Sequence, residues 1–214
     1  SDTMDHWNSL GNVSCIVEQK IALDAEFSVI ISRGEDGEIA LYMPTHNAHV
    51  DGILDISTAP SHLSSQLLDQ GKFAATKIAE MLNYVGVLTV EFFVSDNKLF
   101  VNELAPRPHN SGHWTIDAAR TSQFEQQVRA LVGEPLGDPS MTCSAVAMVN
   151  ILGERWANGE PLFELTAGDS SAHLHLYGKK DARAGRKMGH LTVTGDHADA
   201  VVHNAVSLRQ ALTR

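Results

Sequence analysis

Two glutamates, Glu91 and Glu103, stand in the run Val90-Glu91-Phe92-Phe93-Val94-Ser95-Asp96-Asn97-Lys98-Leu99-Phe100-Val101-Asn102-Glu103-Leu104-Ala105-Pro106-Arg107-Pro108-His109-Asn110. Apolar stretches on both sides of Ser-Asp-Asn-Lys predict a β-hairpin. With Ser95 to Leu99 as a five-residue loop, Glu91 and Glu103 face each other across the ladder. Like charges opposed on a sheet destabilise it, so this register predicts a cation between them. Hard oxygen ligands, with water and phosphate completing the shell, suit magnesium. The loop that follows offers Arg107, His109 and Asn110 as donors to an anion. A carboxylate pair beside an anion-binding loop points to metal-assisted phosphoryl chemistry. The bland reading of a single glutamate is a solvated sheet face; the opposed register and the adjoining loop favour ligation.

The elements that must position these groups are legible as periodicity. Strands are predicted at Ser14 to Val17, Glu26 to Ser32 and Ile39 to Tyr42, the last two forming a hairpin about Gly34-Glu35-Asp36-Gly37. Pro44 to Gly52 is polar and reads as a loop. Leu63 to Tyr84 is predicted helical, with Ala74, Ile78, Met81 and Leu82 recurring at helical spacing. Ile116 to Leu131 is a second predicted helix, with Ala119, Phe124, Val128 and Leu131 as its apolar face. Gly133 to Pro139 breaks the pattern and reads as a linker. Beyond it, Ala145 to Ile151, His173 to Tyr177 and Leu191 to Thr194 read as strands, Arg183 to His190 as a basic loop, and Ala198 to Leu212 as a closing helix.

Composition bounds the function. The 214 residues are 43% hydrophobic and 20% charged, as in a globular chain. A formal net charge of -10 argues against nucleic acid or an anionic membrane surface as the main partner. A phosphate ligand needs only a local cluster of donors. Cys15 and Cys143 lie in apolar runs and read as small buried side chains. No apolar run reaches membrane-spanning length and no signal-peptide pattern is present, so a cytoplasmic location is the expectation.

The block from Asn102 to Thr115 (Asn-Glu-Leu-Ala-Pro-Arg-Pro-His-Asn-Ser-Gly-His-Trp-Thr) resembles the signature of the 5-(carboxyamino)imidazole ribonucleotide synthetases, an ATP-grasp family of purine biosynthesis. Three further segments agree in order: Val17-Glu18-Gln19 with Glu26, Thr45-His46-Asn47-Ala48-His49 up to Gly52-Ile53-Leu54, and Gly185-Arg186-Lys187-Met188-Gly189-His190. The resemblance runs from about Val13 to the C-terminus. It implies an α+β chain: an ATP-grasp lobe of antiparallel sheet and packed helices over residues 13–134, then a small β-rich domain over residues 140–214. It further implies ATP and magnesium as cofactors, with bicarbonate and 5-aminoimidazole ribonucleotide as substrates. Carboxyphosphate, formed by attack of bicarbonate on the γ-phosphate, would deliver carbon dioxide to the amine. The family commonly forms homodimers.

Carried onto this chain, the resemblance assigns magnesium to Glu91 and Glu103. Ala105 stands where many ATP-grasp enzymes have an asparagine, so Asn102 or water would complete the shell. Arg107, His109 and Asn110 are the implied bicarbonate site, since a guanidinium matches a planar carbonate with two parallel hydrogen bonds. Glu18, Gln19, Lys20 and Ile21 are the implied adenine hinge, Glu26 a ribose acceptor, and His49 a neighbour of the nucleotide. His46 and His49 as a zinc pair are weak, lacking cysteine or a third ligand nearby. Lys179, Arg186 and Lys187, a concentration of positive charge, are the implied 5′-phosphate site. The nucleotide-covering Gly-rich loop and the family's first lobe have no counterpart here, which predicts a partial enzyme that turns over poorly alone. The rival readings are another ATP-grasp carboxylase or purine ligase, a non-catalytic nucleotide-binding module, and a histidine-rich metal store.

Overall fold

The computed structural model describes residues 2–166 and 168–212. Helix α1 (Thr3–Ser9) precedes strands β1 (Ala25–Arg33), β2 (Ile39–Leu41), β3 (Thr45–Val50) and β4 (Ile53–Ala59). Helix α2 (Ser65–Met81) leads into β5 (Gly86–Ser95) and β6 (Lys98–Ala105), then α3 (Thr115–Ala118) and α4 (Gln123–Val132). Strands β7 (Ala145–Leu152), β8 (Ala172–Leu176) and β9 (Lys187–Gly195) and helix α5 (Ala198–Ala211) complete the described elements. The strands form one sheet in the order β6-β5-β1-β3-β4-β7-β9-β8, with β2 added beside β1. Its pairings are antiparallel. The chain is α+β, as the sequence implies.

Alternation in β1 sorts the two faces of the sheet. Phe27, Val29 and Ile31 face one side and are buried in an apolar cluster with Leu67, Ala75 and Ala79 of α2. Phe27 stacks on Phe92 of β5 with ring centroids 5.0 Å apart. Ser28, Ile30 and Ser32 face the other side. Helix α2 starts where the Ser64 side chain accepts a hydrogen bond from the Leu67 amide.

The β5–β6 hairpin reaches the expected opposition of Glu91 and Glu103 by a different route. Its turn has two residues: Ser95 pairs Lys98, and Asp96 and Asn97 take φ of 49° and 57°. Asp and Asn are the side chains that best tolerate that left-handed pair. A two-residue turn alone would set Glu91 opposite Asn102. A bulge corrects the count, since Phe92 pairs Val101 while Glu91 pairs Glu103, leaving Asn102 as the extra residue.

Other expectations need correction. Ser14 to Val17 belongs to no strand; Ile16 is 89% exposed, and no described strand lies beside it. Cys15 is exposed and Cys143 half-buried, both as free thiols. The predicted loop Pro44 to Gly52 is mostly strand β3, and β4 follows it. The helix predicted over Ile116 to Leu131 breaks at Ala119, which turns extended to bridge Met141, and α4 restarts with Ser122 as its cap. Phe124, Val128 and Leu131 of α4 face solvent, while Gln123, Gln126 and Ala130 are buried. The basic loop yields its second half to β9. Residues 133–139 hug the surface: Gln126 exchanges two hydrogen bonds with the Gly137 backbone, and Glu38 accepts from the Leu136 amide. Pairing of β4 with β7 carries the sheet across this segment without a break.

This packing yields two stability predictions. A Cβ on Gly71 would lie 2.7 Å from two Phe27 ring atoms. Helix propensity favours Gly71→Ala by about 1 kcal/mol, but overpacking a fixed ring costs about 1–3 kcal/mol, so urea unfolding should show a net loss. A variant more stable than the parent would mean the ring has room. His46 on β3 packs against His62 with centroids 4.1 Å apart, and its Nδ1 is buried without a hydrogen-bond partner among the described residues. Burial first, then the charge of His62, lowers its pKa from 6.5 to about 4. Between those values the unfolded chain binds the extra proton, so stability falls as pH drops through that window. The urea midpoint should therefore fall less steeply with acid for His46→Gln than for the parent; equal slopes would refute this.

Candidate functional site

Four strands contribute to a single polar row on the sheet face opposite α2. Thr45 of β3 pairs Ser28 of β1, Ser28 pairs Glu91 of β5, and Glu91 pairs Glu103 of β6. The row ends in a cavity of about 510 Å³. Glu91, Glu103 and the bulge residue Asn102 line it, so the bulge turns two consecutive side chains of β6 toward Glu91. Arg107, His109 and Asn110 from the following loop line it too. Glu26, His49 and Lys187 complete the predicted residues that the fold gathers there.

Glu91 is the best-anchored member. His109 Nε2 lies 2.8 Å from its Oε1. The hydrogen bond from His109, aided by the charge of His49 and by Asn102, holds the Glu91 carboxyl below its usual range despite burial. His109 is itself fixed from behind. Its Nδ1 accepts from the Ser111 amide at 3.3 Å and contacts Ser111 Oγ at 2.8 Å. Ser111 Oγ contacts Ser28 Oγ at 2.7 Å, and Ser28 Oγ accepts from Asn47 Nδ2 at 3.0 Å. Ser57 Oγ donates to Asn47 Oδ1 at 2.8 Å, and Thr45 Oγ1 closes on Ser28 at 2.8 Å. A consistent proton assignment runs from Ser57 through Asn47, Ser28, Ser111 and His109, every donor pointing toward Glu91. The His109 backbone is clamped by Gln123, whose Oε1 accepts from its amide at 2.8 Å and whose Nε2 donates to its carbonyl at 2.7 Å.

The remaining groups are freer. Both amide atoms of Asn110 are buried and have no hydrogen-bond partner among the described residues. Arg107 is exposed, its Nη1 donating to the Pro108 carbonyl at 3.0 Å. Burial, with Arg107 and Lys179 nearby, lowers the Lys187 pKa, and Glu91 opposes that shift. Glu26 Oε2 lies 2.8 Å from His49 Nδ1, out of hydrogen-bond alignment. His49 reaches the cavity by alternation, on the same face of β3 as Thr45 and Asn47. The facing strand β4 carries a second bulge, since Ala48 pairs Ile56 and His49 pairs Leu54, so Asp55 is extra, and Arg209 of α5 holds it. His46, three residues earlier on β3, faces the other side of the sheet and shares no site with His49.

Three groups of predicted residues lie outside this cavity lining. Glu18, Gln19 and Lys20 are exposed on an extended segment, with half-buried Ile21 at its end. Lys179 Nζ donates to the Lys187 carbonyl at 2.6 Å and sits 5.2 Å over the Tyr177 ring. Arg186 Nη1 donates to the Asp181 carbonyl at 2.9 Å. Sequence reading missed Ser28, Asn47, Ser111 and Gln123, all buried. The one available signal was polar residues interrupting apolar runs, as at Ser28 within Phe27 to Ile31.

Gln123 supports the loop through two backbone groups that no other side chain satisfies. Gln123→Leu strands the His109 amide and leaves its carbonyl only the bond from the Gly112 amide, at a cost of about 1–3 kcal/mol, and should raise the apparent pKa of Glu91 by displacing His109. Urea unfolding and a carboxylate NMR titration test this; an unchanged Glu91 midpoint would show that the loop holds itself.

Comparison with known proteins places the fold among characterised families. The sequence model of the ATP-grasp domain matches residues 1–124, and that of the phosphoribosylaminoimidazole carboxylase C-terminal domain matches residues 146–204. The chain is 43% identical over 197 residues to N5-carboxyaminoimidazole ribonucleotide synthase of Vibrio vulnificus, covering 92% of this chain and 50% of that protein. The Bacillus subtilis enzyme of the same name is 43% identical over 180 residues, covering 84% of this chain and 46% of that protein. The crystal structure of N5-carboxyaminoimidazole ribonucleotide synthetase from Thermus thermophilus superposes with a TM-score of 0.87 at 40% identity, covering 98% of this chain and 56% of that one. The N5-carboxyaminoimidazole synthase of Aspergillus clavatus, solved with ADP and 5-aminoimidazole ribonucleotide, superposes at 0.78 with 29% identity, covering 92% of this chain and 54% of that one. The chain thus spans about half the length of the curated relatives it matches. On the match over residues 1–124, with its opposed glutamates on an antiparallel sheet, this chain belongs to the ATP-grasp family.

Proposed function

We propose that this chain is the second ATP-grasp lobe and C-terminal domain of an N5-carboxyaminoimidazole ribonucleotide synthase. The whole enzyme would use ATP and bicarbonate to carboxylate the amine of 5-aminoimidazole ribonucleotide. The observation that carries the reading is the cavity that holds Glu91, Asn102 and Glu103 on one side and the unpartnered Asn110 amide on the other. The oxygen-only donor set fits magnesium. Glu91 and Glu103, with Asn102, would hold it, and the ion would neutralise charge on the ATP phosphates as the phosphoryl group moves.

The chain's own residues do the positioning. Both ring nitrogens of His109 face protein partners, so His109 acts through Glu91, keeping it ionised and aimed, rather than on bicarbonate directly. Arg107 and Asn110 are left to bind bicarbonate and the carboxyphosphate made from it. Lys187, beside Arg107 and Glu91, faces the acceptor, and Lys179 and Arg186 flank it as the 5′-phosphate donors. Glu18 to Ile21 would lie along adenine, and Glu26 with His49 near the ribose. The family matches, ending at 124 and beginning at 146, support a division near residues 134–140 between the two units. None of the described helices is long and apolar enough to cross a membrane; a cytoplasmic homodimer is the setting we infer for the full-length enzyme.

The test is ADP release by the full-length protein with and without 5-aminoimidazole ribonucleotide. Release should depend on that substrate and on bicarbonate, and Glu103→Gln should lower kcat by about a hundredfold or more, the scale of losing one electrostatic stabiliser. The 214-residue chain by itself should show no such turnover. Substrate-independent ATP hydrolysis by the full-length protein, or a fully active Glu103→Gln variant, would overturn the reading.

A further inference from the structure

A second constellation sits where α3 meets β8 and β9, and none of its three residues lines the cavity. Asp117 of α3, His175 of β8 and His190 of β9 each offer one ligand atom, and these atoms lie within 4.8 Å of one another. His175 Nε2 is 2.9 Å and 3.0 Å from the two Asp117 oxygens. His175 and His190 are register partners, their rings stacked 4.5 Å apart with 15° between planes. His190 is 1% exposed. Its Nδ1 is 2.8 Å from Tyr177 Oη, which lies 3.0 Å from His113 Nδ1. Its Nε2 is buried and has no hydrogen-bond partner among the described residues.

We propose that Asp117, His175 and His190 form a site for a divalent transition metal of the zinc class, tying α3 to the β8–β9 hairpin. An ion pair between Asp117 and a protonated His175 would explain two of the three groups. It leaves the His190 nitrogen buried and unsatisfied, which native structures rarely tolerate. Two imidazoles and a carboxylate are a zinc ligand set with a fourth position open, and nitrogen donors select against magnesium. Tyr177 supplies the outer partner that a ligating histidine needs: with Nδ1–H donating to Oη, the Nε2 lone pair is free for a metal. The side chain of His175 is 31% exposed and that of Asp117 10%, so an ion has a route in from solvent. The stacked rings must open for their lone pairs to converge, so binding requires the half-buried His175 to turn about Cβ–Cγ and exchange its Asp117 contact for the ion. The three ligands come from both matched units, Asp117 from the first and His175 and His190 from the second.

The chelator-treated chain, in excess magnesium to fill the oxygen site, would be titrated with Zn²⁺ by calorimetry and with Co²⁺ by absorption. One equivalent should bind, with visible cobalt bands of a nitrogen and oxygen shell and a rise in Tm that grows with metal concentration. His175→Gln and Asp117→Asn, both partly exposed, should each weaken binding by about tenfold or more. His46→Gln, in the other paired-histidine cluster, should leave it unchanged. The proposal is overturned if no saturable binding appears, if both ligand variants keep the parent affinity, or if His46→Gln abolishes binding instead.

Discussion

Repulsion between two carboxylates on neighbouring strands is the constraint around which this face of the sheet is organised. Directly opposed side chains stand roughly 5 Å apart at Cβ. At an effective dielectric constant of about 20, like charges at that spacing repel by about 3 kcal/mol. The fold meets the two partners unequally. Glu103 is left in water, which screens it. Glu91 is drawn inward and given a fixed donor in His109. A hydrogen bond to a charged group contributes about 1.5–3 kcal/mol, so this one contact offsets much of the repulsion. The result is an unequal pair, one member solvated and the other anchored by His109.

That inequality depends on polar residues inside the sheet, not at its surface. Alternation puts Ser28 and Thr45 on the cavity face while Phe27, Val29 and Ile31 form the apolar face against α2. One slip of register in β1 would exchange these sets, placing hydroxyls in the core and phenylalanine beneath His109. The hydroxyl chain and the hydrophobic cluster therefore enforce the same register from opposite sides. Pro106 and Pro108 limit the loop's backbone freedom, and the Gln123 clamp fixes what remains.

The glutamate pair, the hairpin that bears it and most cavity residues were legible in the sequence because they are contiguous or carry strong chemical type. The path to them was not. The expected five-residue loop and the observed two-residue turn with a bulge give the same register, and residue counting cannot separate them. β3 was hidden because its inward residues, Thr45 and Asn47, are hydrogen-bonding groups where periodicity looks for apolar ones. Helix α4 misled most. Apolar Phe124, Val128 and Leu131 read as its core face, yet they face solvent, and two glutamines are buried because each satisfies backbone groups of a loop. An amphipathic pattern records side-chain polarity. It carries no information about distant backbone groups in need of a partner.

Continuity of the sheet gives the two matched units one shared site. Lys187 belongs to the second unit but lines the cavity made by the first. Its position is set through β9, β7 and β4, each paired to the next, so the Lys187 amine is referenced to Glu91 by strand register and not by a flexible tether. A bulge refines this: Ile151 pairs Gly189 and Leu152 pairs Lys187, leaving Met188 extra and buried. Without the extra residue, the alternation would turn the chain by one position and send Lys187 to the other face. Gly189 then lets β9 approach the His175 carbonyl, where a side chain has no room. Severing the chain between the units would therefore do more than remove a domain, since the carboxylate cavity would lose a cation that the sheet itself delivers.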